Sequence, residues 1–284
     1  MIQKLIARTE ETIHCWVEAW GGPENVYVAF SGGKDSTVLL HIARSLYPEI
    51  VGVFNNTGLE LPEIVQFVKA TSNVTILRPK MSFNKVIEKY GWPVISKEQS
   101  QFINQYRNTK SNKLRELRWN GRANGRSKIS QKWKYVALLA PFKISDMCCE
   151  KLKKAPAKKY EKETGKKPML GTMAGESQLR SQYAHICNMY DSKRPTSKPL
   201  TYWKEQNIWE YIKQHQVPYC SAYDNGWERT GCVFCMFGIH KDSPNRFEMI
   251  KDSHPKLWDY VMYKLGAKEV LEFMGNPTGE DNVK

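Results

Sequence analysis

The chain has 284 residues, which fits one large domain or one domain with an appendage, and its 41% hydrophobic content suffices for a packed core. It has no apolar run near the ~20 residues of a membrane-spanning helix, and its first residues lack the apolar segment of a signal peptide. We therefore expect a cytoplasmic protein without a membrane partner. Its seven cysteines should bind metal or do chemistry rather than form disulfides.

The net charge of +14 is concentrated in one quarter of the chain. Residues 97–167 contain 20 Lys and Arg against 6 Asp and Glu, whereas the rest of the chain contains 23 of each kind. Such a concentration of positive charge predicts a polyanionic partner.

An amphipathic helical pattern over residues 1–20 is followed by a strand, a glycine turn and a helix. A β-branched and aromatic run over 26–30 predicts a buried strand, and Ser31-Gly32-Gly33 ends it. Adjacent glycines permit positive φ and a close ligand approach. Asp35 or Ser36 can cap the following helix. The N–H groups of its first turn, its dipole and the charge of Lys34 together predict an anion site.

Strand and helix patterns alternate beyond this turn, with strands predicted at 49–55, 74–79 and 168–172. Such alternation predicts an α/β fold with a doubly wound, mainly parallel sheet. Ligands of these sheets lie beyond the carboxyl ends of the strands. That rule places Ser31, the Asn56-Thr57-Gly58 turn and Arg78 on one rim of the sheet.

The segment Ser31-Gly32-Gly33-Lys34-Asp35-Ser36 lacks the Walker A spacing and resembles the PP-loop of the ATP pyrophosphatase superfamily. The resemblance covers most of residues 25–95 and 145–240. It implies a Rossmann-like, adenine nucleotide α-hydrolase-like fold that binds ATP with Mg²⁺. It implies phosphate contacts from the loop glycines and Lys34, hydroxyl contacts from its serines, and a loop- or metal-orienting role for Asp35. The catalytic candidates in the loop are Lys34, Asp35 and Ser36.

Two further stretches resemble motifs of the sulfonucleotide reductase branch of that superfamily. One begins at Asn56-Thr57-Gly58 and implies contacts near the adenosine, although a plain β–α turn is the alternative. The other runs from Gly171 to Arg180. It implies nucleotide contacts from Gly171 and Glu176 and a catalytic role for Arg180. Met173 stands where family members commonly carry Arg, so one anion contact is expected to be missing or supplied by the basic segment.

Cys148-Cys149 and Cys232-x-x-Cys235 form a second motif. Two thiolates about one turn apart can share a metal. The set resembles the [4Fe–4S] ligands of adenylyl sulfate reductases and of the ATP pyrophosphatases of DNA phosphorothioation systems (DndC-like and SspD-like). Structural zinc and buried free cysteines are the alternatives. The adjacency of Cys148 and Cys149 favours the cluster, because zinc sites usually use two spaced C-x-x-C pairs.

Residues 97–147 are the part least like that superfamily. Their cations alternate with Tyr106, Trp119, Trp133 and Tyr135, a mixture that suits phosphates and unstacked bases. A solvated basic face with its aromatic rings packed inward is the alternative. The candidate nucleic-acid contacts are Arg115, Arg118, Arg122, Arg126 and Lys128.

These patterns divide the chain into four predicted parts. They are the first half of the PP-loop domain (1–95), a basic helical insert (96–147), the second half with the cluster cysteines (148–240), and a helical tail (241–284). We therefore expect an α/β fold with a basic insert and an iron–sulfur-bearing C-terminal helical part.

The resemblance leaves two reactions in competition. A reductase of adenylyl sulfate or its 3′-phosphorylated form needs a nucleophilic cysteine in a C-terminal Glu-Cys-Gly-Leu-His motif, and this chain has no cysteine after Cys235. We therefore expect the other reaction, adenylylation of a nucleic acid with release of pyrophosphate. Sulfur from a cysteine desulfurase or another donor would then displace AMP.

DNA phosphorothioation is preferred to tRNA thiolation on the resemblance alone. We expect further subunits of a modification complex as partners, and a homodimer is left open. A nucleotide-responsive, cluster-bearing subunit without chemistry is the weaker alternative, because the PP-loop sequence is intact.

Overall fold

The computed structural model describes residues 2–176, 186–276 and 278 of the chain. The chain divides into two compact units. The first unit comprises Met1–Asn56, Glu60–Pro79 and Ala155–Gly231, and the second comprises Thr57–Leu59, Lys80–Lys154 and Cys232–Lys284. Within the described ranges, every helix is too short or too polar to cross a membrane.

The strands, in chain order, are β1 (Val26–Ala29), β2 (Val51–Asn55), β3 (Val74–Leu77), β4 (Val94–Ile95), β5 (Lys167–Leu170), β6 (Asn188–Met189), β7 (Thr196–Ser197) and β8 (Met236–Phe237). The first unit contains a six-stranded sheet in the order β3-β2-β1-β5-β7-β6. All neighbours in it are parallel except β6 and β7. The second unit contains the parallel pair β4 and β8. The predicted α/β fold with a mainly parallel sheet is confirmed.

The central strand β1 explains why its sequence reads as a continuous apolar run. Val28 pairs with Gly52 of β2 on one side and with Met169 of β5 on the other, and it is fully buried. A parallel strand covered on both faces needs apolar residues on both, so it does not alternate. The strand order reverses around β1, because β2 and β3 lie to one side and β5 and β7 to the other. The crevice beyond the carboxyl ends of β1 and β5 is therefore the switch point where such sheets bind ligands.

The helices of the first unit are α1 (Ile2–Ala19), α2 (Lys34–Leu46), α3 (Pro62–Ala70), α9 (Ala155–Thr164) and α10 (Glu205–Gln214). Those of the second are α4 (Phe83–Tyr90), α5 (Lys97–Asn108), α6 (Asn112–Asn120), α7 (Lys134–Leu139), α8 (Met147–Cys149), α11 (Arg246–Ser253), α12 (Pro255–Asp259) and α13 (Ala267–Phe273). Two π-helical turns, Glu150–Lys154 and Tyr260–Lys264, follow α8 and α12 directly.

A polar network ties α9 to the sheet of the first unit. Tyr27 on β1 donates its phenolic hydrogen to Glu161 Oε1 at 2.6 Å. The guanidinium of Arg194 donates to both oxygens of the same carboxylate, with Nε 2.8 Å from Oε2. Burial first, and then the bond to Glu161, raise the pKa of Tyr27 far above its usual range. The network fixes β1 from its buried side, directly before the glycine turn.

Candidate nucleotide-binding site

The turn after β1 contains a glycine that no other residue can replace. Gly32 has φ of 74°, in the left-handed region. A Cβ at this position would lie 2.9 Å from Val68 Cγ2 and 3.0 Å from Ile64 Cγ2, both on α3. Backbone conformation and packing therefore both require glycine here.

Helix α2 begins earlier than its sequence indicates. Gly33 is its N-cap and Lys34 its first residue, so the prediction that Asp35 or Ser36 caps the helix is wrong. Ser36 Oγ instead donates back to the carbonyl oxygen of Gly33 at 2.9 Å, within the first turn. The first-turn N–H groups and the positive end of the helix dipole thus begin immediately after the glycine turn, where an anion would meet them.

The two serine hydroxyls brace the loop from inside. Ser31 Oγ and Ser36 Oγ are 3.0 Å apart, and the N–H of Ser31 donates to Ser36 Oγ at 3.1 Å. The N–H of Gly33 lies 3.3 Å from Ser31 Oγ, and Ser36 is only 5% exposed. Their predicted contacts with ATP stay predictions.

Lys34 is buried, and both its backbone N–H and its ammonium have partners. Its backbone N–H donates to the Tyr223 hydroxyl at 2.8 Å. Its ammonium lies 3.0 Å from Glu205 Oε1 and 3.2 Å from the carbonyl oxygen of Glu228. Burial alone would lower the pKa of Lys34, but the charge of Asp35 and the contacts with Glu205 and Tyr223 outweigh it and raise that pKa. The ammonium is therefore a fixed positive charge at the mouth of α2.

Tyr223 and Thr230 cover the loop, although neither residue is predicted to do so from the sequence. The Tyr223 hydroxyl is 3.1 Å from Thr230 Oγ1, and Thr230 Oγ1 lies 2.4 Å from the point where a Cβ on Gly33 would stand. Tyr223 is 189 residues along the chain from Lys34. No spacing or periodicity marks these residues, and their one sequence signal is that they precede the Cys232 motif.

Two further features of the first unit lie at the carboxyl edge of the sheet. A Cβ on Gly171, directly after β5, would lie 3.1 Å from the backbone of Asp35 and from the Cα of Ser36. Gly171 thus lets β5 approach the first turn of α2 closely. At the end of β2, Asn55 Oδ1 is buried and has no hydrogen-bond partner among the described residues. A ligand donor would satisfy such an acceptor.

The predicted adenosine motif is divided between the units. Asn56 belongs to the first unit, where its N–H donates to the carbonyl oxygen of Leu77 at 2.9 Å. Thr57 and Gly58 belong to the second unit, where Thr57 Oγ1 lies 3.8 Å from Cys232 Sγ. In this structure Thr57 therefore lies beside Cys232 of the cysteine motif.

The last two predicted site residues are Glu176 and Arg180. Glu176 ends the short 3₁₀ turn Ala174–Glu176, which the N–H of Ala174 anchors to the carbonyl oxygen of Thr201 at 2.9 Å. Arg180, the predicted catalytic arginine, lies outside the described residues.

All four predicted cluster cysteines lie in the second unit. Cys148 Sγ and Cys149 Sγ are 4.0 Å apart. The hydrogen bond to Cys149 and burial raise the pKa of Cys148, and the other two thiols of the set raise it further. The same hydrogen bond, assisted by nearby lysines, lowers the pKa of Cys149. Burial raises the pKa of Cys235 to about 11.

The donor set suits a thiolate-ligated metal centre in its chemistry, because four cysteine thiols are the usual ligands of iron–sulfur clusters. No group of three or more His, Cys, Asp or Glu side chains in the described ranges is drawn together tightly enough for a single metal ion. The [4Fe–4S] assignment accordingly stays a prediction.

The candidate nucleic-acid residues differ in how much of their charge is available. Arg118 donates to Gln105 Oε1 at 2.6 Å and to the carbonyl oxygen of Ser127 at 2.8 Å, and its guanidinium lies over the Phe102 ring. Arg115 is exposed and donates to the carbonyl oxygen of Thr109 at 2.7 Å. The three remaining candidates are exposed at the loop after α6, namely Arg122, Arg126 and Lys128.

Another cation of the segment is structural. Arg107 on α5 donates to the carbonyl oxygens of Val136, Ala137, Ala140 and Phe142 at 2.7–2.9 Å. These carbonyls belong to α7 and the residues after it, so one guanidinium closes the end of that helix.

The aromatic rings of the segment pack against its own cations. Tyr106 stacks on Trp119 with ring centroids 5.0 Å apart, and the ammonium of Lys134 lies 4.2 Å from the Trp119 centroid. Both rings are half-buried, and Trp133 is buried.

A glycine turn of positive φ that leads into a helix N-terminus, at the switch point of a parallel sheet, defines a phosphate-binding α/β protein. The family model for the phosphoadenosine phosphosulfate reductase domain matches residues 25–237, three quarters of the chain. The chain belongs to that family. The finer resemblance to DNA phosphorothioation enzymes stays a prediction.

Two curated relatives and one solved structure illustrate the range of the similarity. An uncharacterized protein of Methanocaldococcus jannaschii is 28% identical over 82% of this chain, which spans only 40% of that relative's length. An adenosine 5′-phosphosulfate reductase of Shouchella clausii is 24% identical over 82% of this chain and 79% of its own. The phosphate complex of the phosphoadenylyl-sulfate reductase of Candida auris is 19% identical, covers 81% of this chain and 93% of its own, and has a TM-score of 0.48.

Proposed function

We propose that this chain is an ATP pyrophosphatase that adenylylates a nucleic acid and so prepares it for sulfur incorporation, with DNA phosphorothioation ahead of tRNA thiolation. The observation that carries the ATP assignment is the loop itself. Gly32 turns the chain with positive φ into the N-terminus of α2, where Lys34 supplies a buried positive charge. Membership of the reductase domain family supports an adenine nucleotide as the ligand.

The reaction would consist of two displacements at phosphorus. An oxygen of the nucleic acid attacks the α-phosphorus of ATP, the bond to the β-phosphate breaks, and pyrophosphate leaves with the electron pair. The terminal sulfur of a persulfide, from a cysteine desulfurase or another donor, then attacks the adenylylated phosphorus, and AMP leaves. A thiol would afterwards cleave the S–S bond that still joins this sulfur to the donor. Lys34 and the first-turn N–H groups of α2 would stabilise the charge that develops on the departing phosphates. Asp35 would orient the loop or a Mg²⁺ ion that neutralises the triphosphate.

In this proposal Cys148, Cys149, Cys232 and Cys235 would hold a [4Fe–4S] cluster. When bound, such a cluster supplies one-electron chemistry or a site for sulfur. The bond to Cys149 and burial raise the pKa of Cys148, so this thiol would have to give up its proton to become a ligand.

The nucleic-acid part of the proposal is supported by charge. The whole net charge of +14 falls in residues 97–167, and three of its cations are exposed on one loop. DNA is preferred on resemblance alone. Other subunits of a modification complex would supply the sulfur donor and the choice of sequence.

Sulfonucleotide reduction is the second candidate function. It is favoured by the match to the Shouchella clausii adenosine 5′-phosphosulfate reductase, which extends over 79% of that protein. A reductase would bind the adenylyl group at the same loop and release sulfite.

One product analysis separates the candidates. Anaerobically purified protein would receive α-labelled ATP and Mg²⁺ with duplex DNA, tRNA or neither, and in parallel adenylyl sulfate with a thiol reductant. We expect DNA-dependent release of pyrophosphate with transfer of the α-label to the DNA, release of labelled AMP when sulfide is added, and no sulfite. Activity that depends on tRNA would show that tRNA, and not DNA, is the substrate. Sulfite formation would overturn the proposal in favour of the reductase. Lys34→Ala must lose the activity, whereas Lys69→Ala, an exposed lysine of α3, must keep it.

A further inference from the structure

We propose that Tyr223 and Thr230 gate the nucleotide site, so that a phosphate must displace both from the glycine turn before it can bind. The inference rests on the proposed nucleotide site and concerns how that site opens.

The first observation is that a backbone N–H group able to bind phosphate already has a hydrogen-bond partner. The backbone N–H of Lys34 belongs to the first turn of α2, where such groups have no partner within the helix and bind anions. In this structure it donates to the phenolic oxygen of Tyr223 at 2.8 Å. The phenol therefore stands where a phosphate oxygen would stand.

The second observation is that the approach to the turn is filled. Thr230 Oγ1 lies 2.4 Å from the Cβ position of Gly33, and Tyr223 Oη lies 3.4 Å from it. A glycine at such a turn lets a ligand come close to the backbone. Here two hydroxyls of the chain, 3.1 Å from each other, take that space.

The third observation concerns the lysine charge. The ammonium of Lys34 lies 3.0 Å from Glu205 Oε1 and 3.2 Å from the carbonyl oxygen of Glu228. The Glu205 side chain is 61% exposed, so this ion pair is weakly held and a polyphosphate can replace it. Glu228 is drawn to the lysine from the same stretch that carries Thr230.

The anchors of this stretch indicate which part moves. Ala222 is fully buried and Trp227 is 7% exposed, so the backbone between them is held. The Tyr223 ring packs edge to face on Trp209 with centroids 5.3 Å apart. Opening therefore consists of a turn of the Tyr223 side chain and a shift of residues 228–230, rather than unfolding of the whole loop.

The gate has a measurable thermodynamic consequence. If the closed form dominates, the apparent dissociation constant exceeds the intrinsic one by the inverse of the open fraction. A neutral hydrogen bond changes such an equilibrium by roughly threefold to tenfold. Removing the Tyr223 hydroxyl should therefore tighten nucleotide binding, whereas removal of a ligand-contacting group would weaken it.

The test uses the full chain and the ATP analogue with a methylene bridge between the α- and β-phosphates, which cannot be cleaved there. Calorimetry with Mg²⁺ should give about threefold to tenfold tighter binding for Tyr223→Phe than for the wild type. The matched control is Tyr47→Phe, which removes a phenol bonded to His14 at 2.6 Å beyond the other end of α2. Its affinity should equal that of the wild type.

Hydrogen exchange gives a second measurement. Peptides that contain residues 228–231 should exchange faster when the analogue is bound, because the stretch has left the turn. If the analogue binds, but Tyr223→Phe binds no more tightly and exchange does not change, the gate is wrong and the nucleotide site stands. If only Tyr223→Phe binds, the gate is supported. If neither protein binds, both the gate and the proposed function fail.

Discussion

Tyr27 and Glu161 share a 2.6 Å hydrogen bond that joins the central strand β1 to helix α9. Arg194 holds the same carboxylate from the other side. Tyr27→Phe leaves the ion pair intact and should lower the free energy of unfolding by about 1 kcal/mol. Glu161→Ala leaves Tyr27 and Arg194 without their shared partner and should lower the free energy of unfolding by about 3 kcal/mol. Urea unfolding at neutral pH measures both, and equal losses would contradict the network.

The same phenol predicts how stability changes in alkali. The folded pKa of Tyr27 is raised, chiefly by burial, whereas the unfolded tyrosine ionises near its ordinary pKa of about 10. Its contribution is complete below about pH 10 and is lost above it, because the unfolded state then releases a proton that the folded state retains. Urea midpoints measured across this range should fall less steeply for Tyr27→Phe than for the wild type. Parallel curves would refute the shift.

Gly171 should prove essential for nucleotide binding through packing alone. A Cβ there would lie 3.1 Å from the backbone of Asp35, which cannot yield without moving the first turn of α2. Gly171→Ala should therefore weaken binding of the uncleavable ATP analogue by about tenfold or more. Gly175→Ala, which has open space around its Cβ position, is the matched control and should bind normally. Normal affinity in both variants would show that β5 does not position the loop.

The four cysteines should act as one set of metal ligands. Anaerobically purified wild-type protein is expected to contain iron and to show the visible absorbance of thiolate-bound clusters. Cys232→Ser should lose both, since a serine hydroxyl is a poor ligand for iron. Cys15→Ser, on the exposed face of α1, should keep both. Zinc in place of iron, or an unchanged spectrum in Cys232→Ser, would refute the cluster.

The exposed loop after α6 should account for part of the salt dependence of DNA binding. Replacing Arg122, Arg126 and Lys128 by Gln should reduce the slope of log affinity against log salt by up to about 2.7. The control removes three exposed lysines of the first unit, at positions 4, 69 and 213, and thus the same charge. An identical slope change in both variants would show that only net charge matters.

The parts of the fold that follow from local sequence were predictable. The run around Val28 and the glycines after it mark a strand and an anion-binding turn within a few neighbouring residues. The cap of α2 was missed because Ser36 turns its hydroxyl back into the loop, which sequence alone does not reveal. Tyr223 and Thr230 were missed because they reach the turn only through tertiary packing, from the far part of the chain.

The number of cations in the basic segment was predictable from the sequence, but the share of them available at the surface was not. Arg118 counts toward the basic segment, yet its donors serve Gln105 and Ser127. A sequence shows how many cations a segment has. Only the structure shows which of their N–H groups are already bound.

Arg107 is the clearest example of a cation whose N–H groups are already bound. Its guanidinium serves four carbonyl oxygens from three nitrogens, a task that needs a planar fork of donors. Arg107→Lys would preserve the net charge of +14 and still leave some of those carbonyls without a donor, because one ammonium cannot span all of them. A charge-conserving exchange at this position therefore loosens α7, whereas a charge-removing exchange at Arg126 leaves the fold alone. Within this basic segment, sensitivity to substitution and contribution to the electrostatic field are separate properties, carried by different residues.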